Sequence, residues 1–138
     1  MATRSTIAME YQDGTVKQVY CHWDGYLEHN GRLLQEYWND SSKLAELIEL
    51  GDLSSLSQAI GEQHDFNSQA EGQCTFYGRD RGESDTGARL FKSLEEYQQH
   101  CQLEEFNYLR TAEGQWQYST NGKRWCNLAD NLVASDEG

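Results

Sequence analysis

Tyr20-Cys21-His22-Trp23-Asp24-Gly25-Tyr26, with His29-Asn30-Gly31 close behind it, is the stretch around which the sequence is organised. It combines two histidines, an aspartate, a cysteine, a tryptophan and two tyrosines with two glycines. Its pattern places it between the end of a strand and the start of a helix. Binding and catalytic groups are disproportionately found on loops carried by rigid elements. The sequence therefore indicates a functional site here, without identifying what the site binds.

The residues before this stretch have the pattern of a β-hairpin. Asp13-Gly14 is a strong signal for a two-residue turn, which sets Tyr11 opposite Val16 and Ile7 opposite Tyr20. Side chains alternate between the two faces of a strand. We therefore expect Cys21 and Trp23 on one face, and on the other, core-facing side we expect Ile7, Met9, Tyr11, Val16, Tyr20 and His22.

Apolar spacing predicts helices after the stretch. One helix is expected from Gly31 to Trp38 and a second from Ser42, with Gly51 at the position where that helix ends. Leucine and isoleucine at intervals of three and four favour prolonging the helical region over residues 52–60. Further along, Ser93-Leu94-Glu95-Glu96 is a capping box, which predicts the start of another helix with Tyr97 on its buried side.

The remaining strands are predicted in the second half of the chain. Cys74 to Gly78 is a short aromatic strand candidate, and residues 79–89 read as a charged, mobile loop. Strands are expected at Phe106–Arg110 and at Gln115–Thr120, followed by a second hairpin that turns at Asn121-Gly122. That turn would set Tyr118 opposite Trp125 and place three rings on one face of the sheet, those of Trp116, Tyr118 and Trp125.

These elements predict an α+β fold, an antiparallel sheet of an N-terminal and a C-terminal hairpin with two to three packed helices. The 138 residues suit one domain, which we expect to span residues 1–134 and to be followed by a short acidic tail at 135–138. Hydrophobic residues make up 37% of the chain and aromatic residues 12%, so the core should be built largely around rings.

The formal net charge of −12 disfavours direct binding to nucleic acid or to an anionic membrane. The acidity has two interpretations. It can serve ordinary solubility, or it can imitate phosphates and dock onto the basic groove of another protein, as an acidic DNA-mimic-like inhibitor would.

Targeting signals are not evident in the sequence. No apolar run approaches the roughly 20 residues of a membrane span, and the N-terminal residues lack the apolar segment of a signal peptide. We therefore expect a cytoplasmic protein with reduced thiols at its four cysteines, Cys21, Cys74, Cys101 and Cys126.

The opening residues 1–8, the Asp13-Gly14 turn and the motif from Tyr20 to Gly31 together resemble a family of small proteins encoded by tailed bacteriophages and prophages. The resemblance covers roughly the first quarter of the chain, with a weaker similarity at residues 50–53. It implies an accessory role in the cytoplasm of an infected bacterium, and it supplies no substrate. Many small acidic phage proteins bind host enzymes or defence components, which makes interference with a host process, and with anti-phage defence in particular, the expected role.

Three chemistries fit the residues of the motif. Metal binding or hydrolysis would use His22, Asp24 and His29, with a histidine as general base. No familiar metal spacing or hydrolase signature accompanies them. Asp24 is equally suited to a structural turn, and His22 to a core position. We therefore assign no catalytic residue, no metal ligand and no cofactor, and we keep a small hydrolase or a metal-binding protein as an alternative.

The third possibility is that the motif binds a ligand without catalysing a reaction. Rings can stack on a base and polar side chains can bind its edge, which makes a ligand set of Tyr20, His22, Trp23, Asp24, Tyr26, His29 and Asn30. If the charged loop folds over the site, phosphates can be held by Arg79, Arg81, Arg89 and Lys92, although such a loop is most often solvated. Core packing is the competing interpretation of the rings.

The sequence thus favours a non-enzymatic phage accessory protein that acts by binding. The bound species is either a small nucleotide signal, which would be sequestered, or a host protein, which would be blocked. The sequence leaves the oligomeric state open, including a homo-oligomer.

Overall fold

We describe the fold from a computed structural model, which defines residues 3–67 and 72–131. The predicted acidic tail at 135–138 lies outside the described residues. Within them, eight strands form one mixed sheet in the order β4-β3-β2-β1-β6-β7-β8, and β5 also pairs with β2. The strands are β1 (Ser5–Glu10), β2 (Val16–Cys21), β3 (Leu53–Ser55), β4 (Thr75–Phe76), β5 (Arg89–Phe91), β6 (Phe106–Arg110), β7 (Trp116–Ser119) and β8 (Cys126–Asn127).

Five α-helices are seen in the described ranges. They are α1 (Arg32–Tyr37), α2 (Ser41–Glu49), α3 (Tyr77–Arg81), α4 (Leu94–His100) and α5 (Leu128–Asn131), and a π-helical turn at Leu27–Gly31 precedes α1. The α+β class is confirmed. The sheet is not purely antiparallel, however, because β1 pairs in parallel with β6 and β2 pairs in parallel with β3. Parallel strands are joined by long crossover connections. Such pairings therefore cannot be predicted from a local turn signal in the sequence.

The N-terminal hairpin is present, but its predicted register is wrong by one residue. Glu10 pairs with Val16 and Ile7 pairs with Val19. The turn holds three residues rather than two, because the Tyr11 amide donates to the Thr15 carbonyl at 2.7 Å and Gly14 takes a φ of 91°. The Asp13 carboxylate accepts from the Thr15 amide and hydroxyl and holds this wider turn in place.

This shift changes which side chains share a face. Cys21 packs with Ile7, Met9 and Val19 in the main core, whereas Val16 lies with Ala8 in a second cluster on the other side. The predicted single face is therefore wrong for Val16, for Cys21 and for Tyr20, which pairs with Thr6 and so lies on the face opposite Ile7. Residues Ser5 to Met9 of β1 are all buried, since β1 is covered on both faces.

Helices cover the two faces unequally. Leu34 of α1 and Leu44, Leu47 and Ile48 of α2 pack against one face of the sheet. On the other face, Tyr97 of α4 packs with one side chain from each of β1, β2, β5 and β6, which are those of Ala8, Val16, Phe91 and Leu109. The Ser93 hydroxyl accepts from the Glu96 amide, which confirms the predicted start of α4 and its buried Tyr97.

The helix proposed as a continuation over residues 52–60 is wrong. Helix α2 ends before Gly51, which adopts a φ of 89°, and β3 begins at Leu53 beside Cys21 of β2. The buried leucines of this segment fill the main core from a strand and a loop. Short apolar runs do not distinguish a strand from a helix by spacing alone.

In the C-terminal half, the strands at Phe106–Arg110 and Trp116–Ser119 are confirmed, while the register of the last hairpin is wrong by one residue. Tyr118 pairs with Cys126 rather than Trp125. Trp116 and Tyr118 contact the main core, but Trp125 contacts the second cluster. The prediction that the three rings share one face of the sheet is therefore wrong for Trp125.

The strand predicted from Cys74 to Gly78 is confirmed only at Thr75–Phe76, because α3 begins at Tyr77 and includes the first part of the segment predicted as a charged loop. The side chain of Asp80 is fully buried, and its carboxylate accepts two hydrogen bonds from Arg79 and one each from the amides of Phe76 and His64. Burial by itself raises the pKa of Asp80, but these hydrogen bonds outweigh it, so the pKa lies below its usual value. Asp80 thus joins α3, β4 and the loop at His64.

We expect Asp80→Asn to reduce the free energy of unfolding by about 3 kcal/mol at neutral pH, because it leaves the Arg79 guanidinium buried without its counter-charge. A lowered folded-state pKa stabilises the protein above the unfolded pKa, and that stabilisation is lost as the pH falls through the folded pKa. The variant should therefore lose less stability between about pH 5 and pH 2 than the parent protein. Urea unfolding at several pH values, with the exposed Asp130→Asn as control, measures both effects. Equal acid sensitivity of parent and variant would contradict this role.

Candidate functional site

The loop that follows β2 is fixed by main-chain hydrogen bonds to the neighbouring strand. The amide of His22 donates to the Leu53 carbonyl at 3.1 Å and that of Trp23 donates to the Ser54 carbonyl at 3.0 Å. The loop thus runs beside β3 for two residues beyond β2. Asp24 then turns the chain with a φ of 58°, in the left-handed region that aspartate tolerates better than most residues.

Gly25 lies against the first strand. Its amide donates to the Thr3 carbonyl at 2.8 Å, and its carbonyl accepts from the buried Tyr108 hydroxyl at 2.6 Å. A Cβ at this position would lie 2.6 Å from the Ser5 Cβ, closer than nonbonded carbons approach. Only glycine fits here without displacing β1.

The buried side chain of Asn30 holds the end of the loop in place. It is fully buried, and its amide group lies within hydrogen-bond distance of the Ser5 hydroxyl at 3.2 Å, the Trp23 carbonyl at 3.3 Å and the Cys21 sulfur at 3.4 Å. Its side-chain oxygen lies 2.9 Å from the His29 Nδ1. This geometry suits a structural residue, so Asn30 has no surface to offer a ligand.

The rings of the motif divide into two contacting groups. In the first, the Tyr20 hydroxyl lies 2.7 Å from the His22 Nδ1, and the His22 ring meets the Trp23 ring edge-on with centroids 4.8 Å apart. In the second, Tyr26 and His29 have centroids 6.1 Å apart. Trp23 is 41% exposed and Tyr26 is 40% exposed, whereas Tyr20, His22 and His29 are only partly exposed.

Two side chains of the motif have a fixed protonation. Burial raises the pKa of Tyr20 to about 12, so its phenol keeps its proton at neutral pH and can donate to His22 Nδ1. Burial likewise raises the pKa of Cys21 to about 12. Since the thiolate is the reactive form of cysteine, the Cys21 thiol is unsuited to act as a nucleophile or metal ligand. All four cysteines are free, and Cys21 and Cys74 are buried.

His22, Asp24 and His29 do not assemble into a catalytic or metal-binding group. In the described part of the chain no hydrogen bond joins any two of these side chains; the Nδ1 atoms of His22 and His29 face Tyr20 and Asn30 instead. Among the same described residues, no three His, Cys, Asp or Glu side chains are placed to hold a metal ion. The geometry gives the hydrolase and metal-binding alternatives no specific support.

The candidate phosphate contacts have different surroundings, and three of the four are engaged by other groups of the protein. Arg79 is largely buried and donates to the carbonyls of Ile60, Gly61 and Cys74 as well as to Asp80. The exposed Arg81 forms an ion pair with Glu83 and stacks over the rings of Phe66 and Tyr77. Arg89 lies 3.8 Å from the Asp52 carboxylate, and Lys92 is exposed at the start of α4. Arg79 is therefore a structural residue rather than a phosphate contact.

Tyr77 is a neighbour of the site that the sequence analysis did not include. Its amide donates to the Asp52 carbonyl at 3.2 Å, and the Asp52 carboxylate accepts from the Tyr20 amide at 2.9 Å. The Tyr77 ring pairs with Phe66, with centroids 5.5 Å apart. The spacing of Tyr77 and Arg81, four residues apart on α3, is the local signal that predicts their contact once the segment is read as a helix.

No known family model matches the chain, and no characterised protein or solved structure is significantly similar to it. The resemblance to phage and prophage proteins rests on the N-terminal motif alone and stays a prediction. Within the described residues, no helix is both long and apolar enough to cross a membrane.

Proposed function

We propose that the chain is a non-catalytic binding protein whose partner is a host protein with a basic surface, anchored by Trp23 and Tyr26. The observation that carries this proposal is the exposure of two aromatic rings on a loop whose backbone is fixed from inside. Their exposed fractions are 41% and 40%. The fixing contacts are those of Asn30, Gly25 and the Tyr108 hydroxyl.

Rings presented in this way suit protein recognition. Tryptophan and tyrosine are the residues most enriched among those that dominate binding energy at interfaces. A loop that is already ordered loses little conformational entropy when it binds, so more of the contact energy remains as affinity. The partly exposed His22 and His29 beside the rings can contribute polar contacts at the rim of the interface.

The charge of the chain favours a basic partner over a phosphorylated small molecule. A net charge of −12 steers a positively charged surface toward the protein and repels free nucleotides. Arg79, one of the candidate phosphate contacts, already binds the Asp80 carboxylate and backbone carbonyl groups, so its guanidinium is not free to bind a phosphate. Sequestration of a nucleotide signal is therefore the less favoured form of binding.

The resemblance of the N-terminal motif to phage and prophage proteins supports the biological setting. We place the protein in the cytoplasm of an infected bacterium, where it blocks a host protein, with an anti-phage defence component as the first candidate. A basic partner surface is typical of enzymes that act on nucleic acid, which connects this proposal with the interpretation of the acidic surface as a DNA mimic.

We expect the double substitution of Trp23 and Tyr26 by alanine to abolish partner binding and to leave the fold intact. Neither side chain belongs to a core cluster, so the fold should be retained, although each substitution should cost about 1 kcal/mol through the lost ring contact with His22 or His29. The measurement is affinity purification of the tagged chain from bacterial cells, followed by titration of the captured protein. The matched control is Tyr37→Ala, which removes an equally exposed tyrosine, 40%, from α1.

The salt dependence of binding and native mass spectrometry distinguish a protein partner from a bound nucleotide or metal. A charge-steered complex should weaken steeply between low and high ionic strength, whereas a stacked nucleotide depends on salt less. Native mass spectrometry of the purified protein would reveal a small adduct if a nucleotide or metal were held instead. Capture that survives the double substitution, or that is equally lost with Tyr37→Ala, would rule out the aromatic loop as the interface.

A further inference from the structure

A second concave surface lies at the opposite end of β1 from the aromatic loop. It is a cleft of about 510 Å³ between the two hairpin turns and the start of α2, a size that suits a small-molecule ligand. The loop adjoins Ser5 and the cleft adjoins Glu10, so the length of β1, roughly 16 Å, separates the two. The cleft is therefore independent of the interface proposed above.

The walls of the cleft are joined by specific contacts. The Gln12 side-chain amide donates to the Ala112 carbonyl at 2.7 Å, and the Ala112 amide donates to the Glu10 carboxylate at 3.1 Å. These bonds tie the tip of the first hairpin to the turn between β6 and β7. The cleft is thus bounded by ordered backbone on both sides, which is typical of pre-formed ligand sites.

Arg110 supplies the positive charge of the cleft. Its Nε donates to the Asn39 carbonyl at 3.0 Å, which fixes the guanidinium beside the start of α2. Gly114 leaves room for it, since a Cβ there would lie 3.2 Å from the Arg110 Nη2. No carboxylate of the described residues lies within ion-pair distance of this guanidinium. The hydroxyls of Ser41 and Ser42 line the same cleft.

Negative and apolar groups complete the lining. The carboxylates are those of Glu10, Asp13 and Glu113, and the apolar part is formed by Met9, Ala45 and the Tyr11 ring. The Tyr11 hydroxyl is buried and has no hydrogen-bond partner in the described residues.

We propose that this cleft binds a small zwitterion of the amino-acid class, with its carboxylate on Arg110, its ammonium group on the rim carboxylates and an apolar side chain over Met9 and Ala45. A simple anion would meet one cation and three carboxylates, and a simple cation would leave Arg110 unpaired. A zwitterion matches both charges at once. Arginine is suited to the carboxylate end because its planar group can bind both oxygens.

The test uses calorimetric titration of the full chain with matched probes. L-phenylalanine and L-leucine carry both charges, N-acetyl-L-phenylalanine carries only the negative one, and L-phenylalaninamide carries only the positive one. We expect the free amino acids to bind and each blocked form to bind about tenfold more weakly or worse, since each lacks one charge-assisted contact.

Substitutions inside and outside the cleft test whether the amino acid binds there. Arg110→Gln should abolish the heat of binding, and Ala45→Leu should abolish it by filling the floor while leaving the Arg110 contacts in place. Arg124→Gln, an exposed arginine outside this cleft, should bind like the parent. Circular dichroism verifies the fold of each variant, and Ala45→Leu keeps the test decisive if Arg110→Gln does not fold. The proposal is overturned by the absence of binding at millimolar free amino acid, by equal binding of N-acetyl-L-phenylalanine, or by unchanged binding in both cleft variants.

Discussion

Replacing Asn30 with aspartate is expected to produce the larger of two losses of stability at the candidate site, about 4 kcal/mol at neutral pH, the scale set by an uncompensated buried charge. The substitution exchanges the NH₂ group for an oxygen at nearly constant shape. That oxygen would face the Ser5 hydroxyl, the Trp23 carbonyl and the Cys21 sulfur, all within 3.4 Å of the present amide nitrogen. A donor is thereby converted into a buried negative charge beside other electronegative atoms.

The effect should depend on pH with a defined sign. Burial raises the folded-state pKa of the introduced carboxyl above its unfolded value of about 3.9. The destabilisation should therefore be smallest below that unfolded pKa, where the carboxyl is protonated in both states, and should grow as the pH rises through the folded pKa.

Urea unfolding of the Asn30→Asp variant at acid and neutral pH measures this dependence. The matched control is Asn39→Asp, an exposed asparagine near the end of α1, which should change the free energy of unfolding by less than about 0.5 kcal/mol. If the two variants were equally stable at neutral pH, Asn30 would not be the internal anchor of the loop.

Gly25→Ala is expected to destabilise the protein by about 3 kcal/mol and to detach the loop from β1. The added Cβ would lie 2.6 Å from the Ser5 Cβ and 2.8 Å from the Thr3 carbonyl oxygen, so the loop or the strand must move. Overpacking of this kind in a tightly packed place commonly destabilises by 1–3 kcal/mol, about the expected size. The displacement should also weaken the hydrogen bond from the Tyr108 hydroxyl, 2.6 Å long, to the Gly25 carbonyl.

The control for this substitution is Gly87→Ala, where a Cβ would meet nothing within 4 Å. Thermal unfolding should separate the two variants clearly, and amide hydrogen exchange should show faster exchange at Trp23 and Asn30 in Gly25→Ala alone. Retention of the parent's exchange rates in Gly25→Ala would mean that the loop holds its conformation without the close approach to Ser5.

These two variants also bear on function. If the aromatic rings bind because the loop is already ordered, a variant that loosens the loop while keeping Trp23 and Tyr26 should bind more weakly than the parent. The loss would come from the entropy of ordering the loop on binding. The structural and the recognition roles of the motif can thus be separated by comparing Gly25→Ala with the double alanine substitution.

Local sequence signals determined several features of this protein. The Ser93 capping box marks the start of α4, and the turn at Asp13-Gly14 marks a hairpin. The α+β class and the strands of the C-terminal hairpin also follow from short-range patterns. These signals involve residues a few positions apart, and their interactions form in much the same way whatever the rest of the chain does.

Tertiary structure alone decided the rest. The first hairpin turn has one residue more than predicted, and one residue of register moves every side chain of a strand to the other face. The parallel pairing of β1 with β6 joins residues that are far apart in the sequence, such as Thr6 and Asn107, which are 101 positions apart. Within the motif, the sequence could not assign Asn30 to the interior and Trp23 to the surface, because that choice depends on how β1, β3 and β6 enclose the loop.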